Sequence, residues 1–185
     1  MSKCYLLFAE GLEECEGLIT LDILRRAGVS VTSVGVTGKT VTGSHGISVE
    51  ADITESEAAD ALSRADIEAV VLPGGMPGAD NLNASSVVEK YISAAKDCGA
   101  FIAAICAAPS ILGHKGLLEG KKAVCYPGFE QELKGAQVLD EAVCVDGSII
   151  TSCGMGSAIK FSHAIIEKLF DKARADRLIR TLNVK

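Results

Sequence analysis

Residues 100–112 read AFIAAICAAPSIL, and this stretch decides the fold class. Residues 100–105 are apolar on both faces, which is typical of a buried strand in a parallel sheet. Pro109 follows soon after, and proline is favoured in the first turn of a helix because no N–H donor is needed there. The stretch therefore predicts a buried strand that turns at Cys106 directly into a helix.

The same alternation of strands and helices continues on both sides. Further strands are predicted at 4–9, 29–36, 68–73 and 123–127, and helices at 14–27, 55–64, 85–98, 156–170 and 172–182. Residues 40–52, interrupted by Gly43 and Gly46, predict a hairpin or an excursion of the chain. Asp146-Gly147 between strands at 142–145 and 148–151 predicts a hairpin. We expect one α/β domain over residues 1–185, with a mostly parallel sheet covered on both faces.

Composition excludes several classes of function. The 18 basic and 24 acidic residues give a net charge of −6, and no long basic run is present, so nucleic acid is not expected as the main partner. No apolar run approaches the roughly 20 residues that a membrane helix requires. The N-terminal segment resembles a first strand rather than a secretion signal, so a cytoplasmic location is expected.

Neither a disulfide framework nor a metal site is expected. The seven cysteines are odd in number and contain no C-x-x-C pair, and the three histidines lack paired ligand spacing. We predict that His114 and His163 are structural or exposed. The sequence therefore predicts no metal and no cofactor.

Ligands of parallel α/β sheets bind at the carboxyl ends of the strands, which here are residues 9–16, 73–78, 106–109 and 152–156. At a helix N-terminus, Cys106 would have a lowered thiol pKa, although an inert buried cysteine fits the local sequence equally well. Gly74 and Gly75 would supply either an oxyanion hole or an ordinary turn.

The two remaining strand-end turns are less informative. Glu13 and Glu14 are expected to be a solvated helix start, whereas the role of Glu16 is open. Gly154 and Gly156 form a G-x-G without the rest of a dinucleotide fingerprint, which favours a turn that packs or lines the site.

Taken together, the turns resemble those of the DJ-1/ThiJ/PfpI superfamily, closest to its DJ-1/YajL-like branch. The motifs that carry this resemblance are GLEECEG (11–17), LRRAGVSVT (24–32), VVLPGGMPGADNL (70–82), IAAICAAP (102–109) and ITSCGMGSA (150–158). The resemblance implies a flavodoxin-like three-layer sandwich and a homodimer. It also implies that Cys106 is the nucleophile, that Glu16 is its protonated partner, and that the backbone N–H groups of Gly75 and Ala107 stabilise an oxyanion, with Gly74 beside them.

Four residues depart from patterns found in that superfamily. Tyr126 stands where some members have histidine, His45 where an arginine often lines an anion pocket, and Cys153 where arginine or glutamine is found. These three are candidates for lining the pocket, and Cys153 is either a resolving thiol or a chance substitution. Ala107 replaces the histidine of the peptidase branch, which removes the natural base for peptide hydrolysis.

The resemblance implies a cofactor-independent glyoxalase or protein deglycase, which acts on methylglyoxal, glyoxal or their early adducts on proteins and takes part in the oxidative stress response. One alternative is a redox-sensing chaperone whose Cys106 is oxidised to a sulfinate. A cysteine peptidase or amidase is the third hypothesis, and it requires His45 or His114 within hydrogen-bonding reach of the sulfur.

Overall fold

The computed structural model describes residues 3–62 and 66–183. Its strands are β1 (Lys3–Phe8), β2 (Ser30–Gly35), β3 (Thr40–Thr42), β4 (Ser48–Glu50), β5 (Ile53–Thr54), β6 (Ile67–Leu72), β7 (Phe101–Ile105), β8 (Lys122–Ala123), β9 (Gln137–Val138), β10 (Val143–Asp146) and β11 (Ile149–Ser152). Its helices are α1 (Glu14–Arg26), α2 (Glu55–Leu62), α3 (Gly78–Ala84), α4 (Ser86–Cys98), α5 (Pro109–His114), α6 (Ala158–Leu169) and α7 (Lys172–Thr181).

The central sheet has seven strands in the order β10-β11-β7-β6-β1-β2-β5. All neighbours pair in parallel except the edge strand β10, which is antiparallel to β11. The chain leaves β1 toward β2 on one side and returns through β6 on the other, so the strand order reverses between β1 and β6. The predicted flavodoxin-like sandwich is confirmed, and its reversal point is where such sheets bind ligands.

Alternating side chains of the sheet build two hydrophobic cores. Leu7, Val70 and Ile102 pack with Tyr91 of α4 on one face. On the other face, a second core contains Leu6, Val71, Ile105 and Ile150 from the strands and Phe161 from α6. Because neighbouring residues of a strand point to opposite faces, strands that are apolar throughout must be covered by helices on both sides.

Local capping explains where the long helices begin and end. The Ser85 hydroxyl accepts hydrogen bonds from the N–H groups of Val87 and Val88, and Gly99 ends α4 in the left-handed conformation. The carboxylate of Asp171 likewise accepts the N–H of Arg174 at the start of α7. These helices match their predicted positions to within two residues.

The structure corrects three details of the predicted elements. The predicted strand at 123–127 is wrong beyond Ala123, where β8 ends. The second hairpin exists, but Asp146 pairs with Ile149, so its two-residue loop is Gly147-Ser148. Helix α3, in the turn after β6, was not predicted. The final predicted residues of the 55–64 helix lie outside the described residues.

The first hairpin is confirmed as β3 and β4, which pair antiparallel apart from the main sheet. Its loop folds against the start of α1: the N–H of Ser44 donates to the carbonyl of Leu12, just before the helix, and the N–H of His45 donates to the carboxylate of Glu14, each at 2.8 Å. Within the described ranges, the helices are all too short or too polar to cross a bilayer.

Candidate active site

Cys106 occupies a sharp turn between β7 and α5. Its φ of +64° lies in the left-handed region, which residues other than glycine rarely adopt. Two backbone hydrogen bonds of 2.9 Å hold it there: its N–H donates to the Ser152 carbonyl, and its carbonyl accepts the N–H of Tyr126. The strain is maintained by the surrounding strands, and it turns the half-buried thiol out of the sheet.

Two glycines let the turn after β6 pass close to Cys106. A Cβ on Gly74 would lie 2.6 Å from the Cβ of Cys106, and a Cβ on Gly75 would lie 2.2 Å from the Glu13 nitrogen. Gly75 also adopts a φ of +91°. Only glycine fits these positions, and the close approach brings the N–H of Gly75 toward the sulfur.

Glu16 lies in the first turn of α1, where it is 1% exposed. The Glu13 carboxylate caps this helix by accepting the N–H of Glu16 at 2.7 Å. Oε2 of Glu16 accepts the N–H of Gly74 at 2.9 Å, whereas no partner with ordinary hydrogen-bond geometry reaches Oε1 in the described structure. The carboxyl group contacts the Cys106 thiol, and burial raises the pKa of Glu16 to about 7.

Burial also raises the pKa of the Cys106 thiol to about 12; the charge of Glu16 adds to this rise, and the N–H groups of Gly75 and Ala107 oppose it. The lowered thiol pKa expected from a helix N-terminus is therefore wrong. The six-residue α5 has a weak dipole, and burial beside a carboxylate outweighs it.

Cys106 and Glu16 titrate as a pair. The pair loses its first proton near neutral pH and keeps the second until far higher pH, so one proton and one negative charge are shared between sulfur and carboxyl. When the proton is on Glu16 the charge is on sulfur, where it accepts the N–H groups of Gly75 and Ala107. The site can therefore hold a thiolate beside a carboxylic acid.

These groups open into a pocket of about 980 Å³. It is lined by Cys106 and Glu16 together with the acidic residues Glu13, Glu130, Asp140 and Glu141, one lysine (Lys160), and the sequence-predicted residues His45, Tyr126 and Cys153. The acidic residues at 130 and 140–141 were missed by sequence reasoning, because they lie in the irregular region between β8 and β10 where no periodic signal exists.

Tyr126 and Cys153 flank the mouth of the pocket differently. Tyr126 is 50% exposed, and its ring lies near Gly154, where a Cβ would be 3.2 Å away. Cys153 is half-buried, with its Sγ 3.5 Å from the Ser157 hydroxyl. Gly154 starts the turn into α6, which agrees with the predicted turn that lines the site.

His45 is exposed and is held by Glu14. Nδ1 of His45 lies 3.0 Å from one carboxylate oxygen of Glu14, and the other oxygen accepts the N–H groups of His45 and Ile47. The prediction of a solvated Glu14 is therefore wrong: the side chain is buried beneath the 43–47 loop. Although burial raises the pKa of Glu14, these hydrogen bonds lower it to about 2, and the same contact raises the pKa of His45.

The ligand atoms of Glu13, Glu14 and His45 lie within 4.8 Å of one another, a cluster that sequence spacing did not reveal. The oxygens of Glu14 already accept hydrogen bonds from the 43–47 loop, so the cluster has a structural explanation. Of the three histidines, His114 pairs with Glu132 and His163 with Asp176, away from the pocket. No hydrogen bond joins any of the three, all in the described part of the chain, to the Cys106 sulfur.

Known proteins resemble this chain in sequence and in fold. The DJ-1/PfpI family profile matches residues 2–168. Protein dj-1beta of Drosophila melanogaster is 36% identical over 188 residues, covering 100% of this chain and 98% of the fly protein. The oxidised DJ-1 structure of Toxoplasma gondii superimposes with a TM-score of 0.92 at 36% identity, covering 98% of each chain.

Of two further relatives, one is much longer than this chain and the other is named after an enzyme activity. Protein DJ-1 homolog B of Arabidopsis thaliana is 38% identical over 94% of this chain, and the chain spans 39% of that relative's length. A Caenorhabditis elegans protein named glutathione-independent glyoxalase DJR-1.2 is 28% identical over 98% of this chain and 95% of its own length. The family match and the fold similarity both extend over nearly the whole chain: it belongs to the DJ-1/PfpI family.

Proposed function

We propose that this protein is a cofactor-independent glyoxalase that converts methylglyoxal to lactate and glyoxal to glycolate. The observation that supports this most is the pairing of the strained Cys106 with buried Glu16, whose pKa is raised to about 7. A group that both gives and takes a proton works best when its pKa lies near the working pH. The glyoxalase name of the nematode relative points the same way.

The reaction would begin with addition of the Cys106 thiolate to the aldehyde carbon. The carbonyl oxygen takes up the proton from Glu16 and forms a hemithioacetal, while the N–H groups of Gly75 and Ala107 stabilise the developing oxyanion. The Glu16 carboxylate then removes the proton from the former aldehyde carbon.

In the resulting enediol the proton of the former aldehyde oxygen passes to the neighbouring ketone oxygen, and the neighbouring carbon takes the proton back from Glu16. The product is a thioester of Cys106 with a hydroxy acid. Water cleaves this thioester, releases the hydroxy acid and regenerates the thiol. The net change is addition of one water to the dicarbonyl, so no redox cofactor or thiol co-substrate is required.

The charge around the pocket favours uncharged dicarbonyls over anionic aldehydes. Glu130, Asp140 and Glu141 are exposed at its edge, and Lys160 is the lysine among the described lining residues. A negative potential lowers the local concentration of anions and leaves neutral substrates unaffected. Methylglyoxal and glyoxal are neutral, and adducts on lysine or arginine side chains carry no anionic group at the carbonyl.

The test is methylglyoxal consumption without glutathione, with lactate measured as product. Wild type should form lactate, and Cys106→Ser and Glu16→Gln should each lose at least 10²-fold in kcat/KM, the usual scale for a nucleophile or proton-transfer group. Cys98→Ser, at a thiol outside this pocket, is the matched control and should retain full activity. Lactate formation by Cys106→Ser at the wild-type rate would refute the mechanism.

A deglycase activity on early adducts needs its own experiment. Preformed methylglyoxal adducts of an arginine or lysine peptide are incubated with enzyme, and their loss is compared with spontaneous release in a diamine trap for free dicarbonyl. If the adduct disappears faster with enzyme than it releases free dicarbonyl to the trap, the enzyme acts directly on the adduct. Loss at the same rate would mean that only free methylglyoxal is consumed.

A redox-sensing role is the second candidate function. The N–H groups of Gly75 and Ala107 and the acid form of Glu16 could stabilise oxygen atoms on the sulfur of Cys106, and the Toxoplasma gondii relative was solved in an oxidised state. Selective oxidation of Cys106 by dilute peroxide, in a protein that makes no lactate, would favour this role. A cysteine peptidase is disfavoured, because the described structure provides no histidine bonded to Cys106.

We also propose that the protein forms a homodimer and is located in the cytoplasm. Sedimentation of the purified protein at micromolar concentration tests the dimer directly. A monomer at those concentrations would contradict it without affecting the chemistry, because every group named in the mechanism lies in one chain.

A further inference from the structure

Cys153 is the first residue after β11, beside the strand that leads to Cys106. In the parallel ladder between these strands, Ser152 is the partner of Ile105. The ladder ends at this pair, and Cys153 and Cys106 are the next residue along each of the two strands. Both residues line the pocket, and both are half-buried rather than fully enclosed.

The backbone links the two cysteines closely. The Cys106 N–H donates to the carbonyl of Ser152, the residue bonded to Cys153, at 2.9 Å. Adjacent strands lie about 4.8 Å apart, and Cα atoms joined by a disulfide lie about 4.4–6.8 Å apart. Since this hydrogen bond holds the two strand ends side by side, we infer that the two residues lie within the range that a disulfide bridges.

The Cys153 side chain also has freedom to move. Its Sγ has one weak polar contact, 3.5 Å from the Ser157 hydroxyl, and that hydroxyl has stronger bonds to Ser152 Oγ and the Gly154 carbonyl. Rotation of the Cys153 side chain away from Ser157 therefore breaks no strong hydrogen bond.

Cys125 also lines the pocket and is a natural comparison. It is 8% exposed, and burial raises the pKa of its thiol to about 11. It precedes Tyr126, whose N–H donates to the Cys106 carbonyl. Cys125 is thus near Cys106 but more enclosed than Cys153, and it belongs to no strand that pairs with β7.

We propose that Cys153 is the resolving thiol of Cys106. A peroxide oxidises the Cys106 thiolate to a sulfenic acid and is itself reduced to hydroxide or alkoxide. The Cys153 sulfur then attacks the Cys106 sulfur, and the sulfenic oxygen leaves as water with the proton of the Cys153 thiol. The disulfide blocks the pocket reversibly and protects Cys106 from further oxidation to the irreversible sulfinic acid.

The proposal rests on Cys106 being the reactive thiol of the proposed function, and its test does not require turnover. Wild-type protein is treated with one equivalent of hydrogen peroxide, alkylated and digested with trypsin under non-reducing conditions. We expect a cross-linked pair of peptides containing Cys106 and Cys153, with a mass lower by two hydrogens. Trypsin places Cys106 with Cys98 in residues 97–115 and Cys153 with Cys144 in residues 135–160, so fragmentation of the cross-linked pair locates the bond.

Two variants sharpen the result. After a second equivalent of peroxide, Cys153→Ser should give Cys106 carrying two added oxygens, and at least tenfold less recovery of thiol alkylation after dithiothreitol than wild type under the same treatment. The matched control Cys125→Ser should still form the Cys106–Cys153 link. The wild-type cross-link is measured without any substitution, so a variant that fails to fold does not decide the outcome.

Accumulation of sulfinic Cys106 in wild type with no cross-link, or a link from Cys106 to Cys125, would overturn the proposal. Lactate formation by the untreated protein would still support the proposed function in that case. Failure of Cys106 to react with both peroxide and alkylating reagent would instead refute the assignment of the nucleophile, and both proposals would fall together.

Discussion

Gly74→Ala adds one methyl group where the nucleophile, the carboxyl group and β7 meet. The new Cβ would lie 2.6 Å from the Cβ of Cys106, 2.8 Å from Oε2 of Glu16 and 2.9 Å from the Ile105 carbonyl oxygen. Ordinary contact begins near 3.4 Å, so Cys106 or the turn must move by roughly 0.8 Å. Gly74 has no left-handed backbone angle, so this collision is the main effect of the substitution.

A displacement of about 1 Å at a reacting group costs about 10²-fold in rate, and overpacking costs about 1–3 kcal/mol in stability. We therefore expect Gly74→Ala to lose about 10²-fold in kcat/KM for methylglyoxal while remaining folded. The assays are lactate formation, the rate of Cys106 alkylation by iodoacetamide, and urea unfolding.

Gly156→Ala is the matched control for this experiment. Gly156 lines the same pocket, but an added Cβ there meets no atom within 4 Å. The control should keep wild-type turnover and alkylation. Equal turnover and equal alkylation rates in the two variants would refute the reasoning, because the contact of Gly74 with Cys106 and Glu16 would then have no part in the chemistry.

Four further predictions follow from single contacts. The pKa of Glu16 is raised from 4.5 to about 7, so wild-type stability should fall by up to about 3 kcal/mol as pH rises through this window; urea unfolding of Glu16→Gln should lack that fall. The pKa of Glu14 is lowered to about 2, so thermal stability should decrease as pH falls from 4.5 toward 2, and Glu14→Gln should be less stable at neutral pH with no such decrease. Replacing Asp140 and Glu141 by Asn and Gln should raise kcat/KM for glyoxylate several-fold relative to methylglyoxal, and added salt should remove the difference. Ser85→Ala should lower the free energy of unfolding by about 1 kcal/mol in urea titration and leave turnover unchanged.

The central sheet was predictable because its strands carry their own signal. β6 and β7 are apolar on both faces, and each is followed by a glycine or proline turn, so strand, burial and layer order could be derived together. β8 and β9 have two residues each, and α3 begins without a side-chain cap. Elements this short are stabilised by tertiary contacts rather than by a periodic pattern, which is why they were missed or misplaced.

For the site, the sequence indicated which turns lie together, but not how their contacts change the burial and the pKa of each side chain. The positions of Cys106 and Gly75 follow from the rule that strand ends share one edge of the sheet. The burial of Glu14 depends on the 43–47 loop folding back over α1, a contact between residues about 30 positions apart. The pKa of the Cys106 thiol depends on its burial and on the charge of Glu16, and neither can be predicted from the residues next to Cys106 in the sequence.

The shared proton explains how one thiol could serve both turnover and oxidation. Because burial raises the pKa of both groups, the pair carries at most one negative charge near neutral pH, and the N–H groups of Gly75 and Ala107 stabilise the form in which that charge is on sulfur. The thiolate that adds to an aldehyde is then the same species that a peroxide attacks. A site of this kind cannot have one reactivity without the other, so a second thiol that reverses oxidation would preserve turnover. Cys153, at the end of the neighbouring strand, is placed to do this.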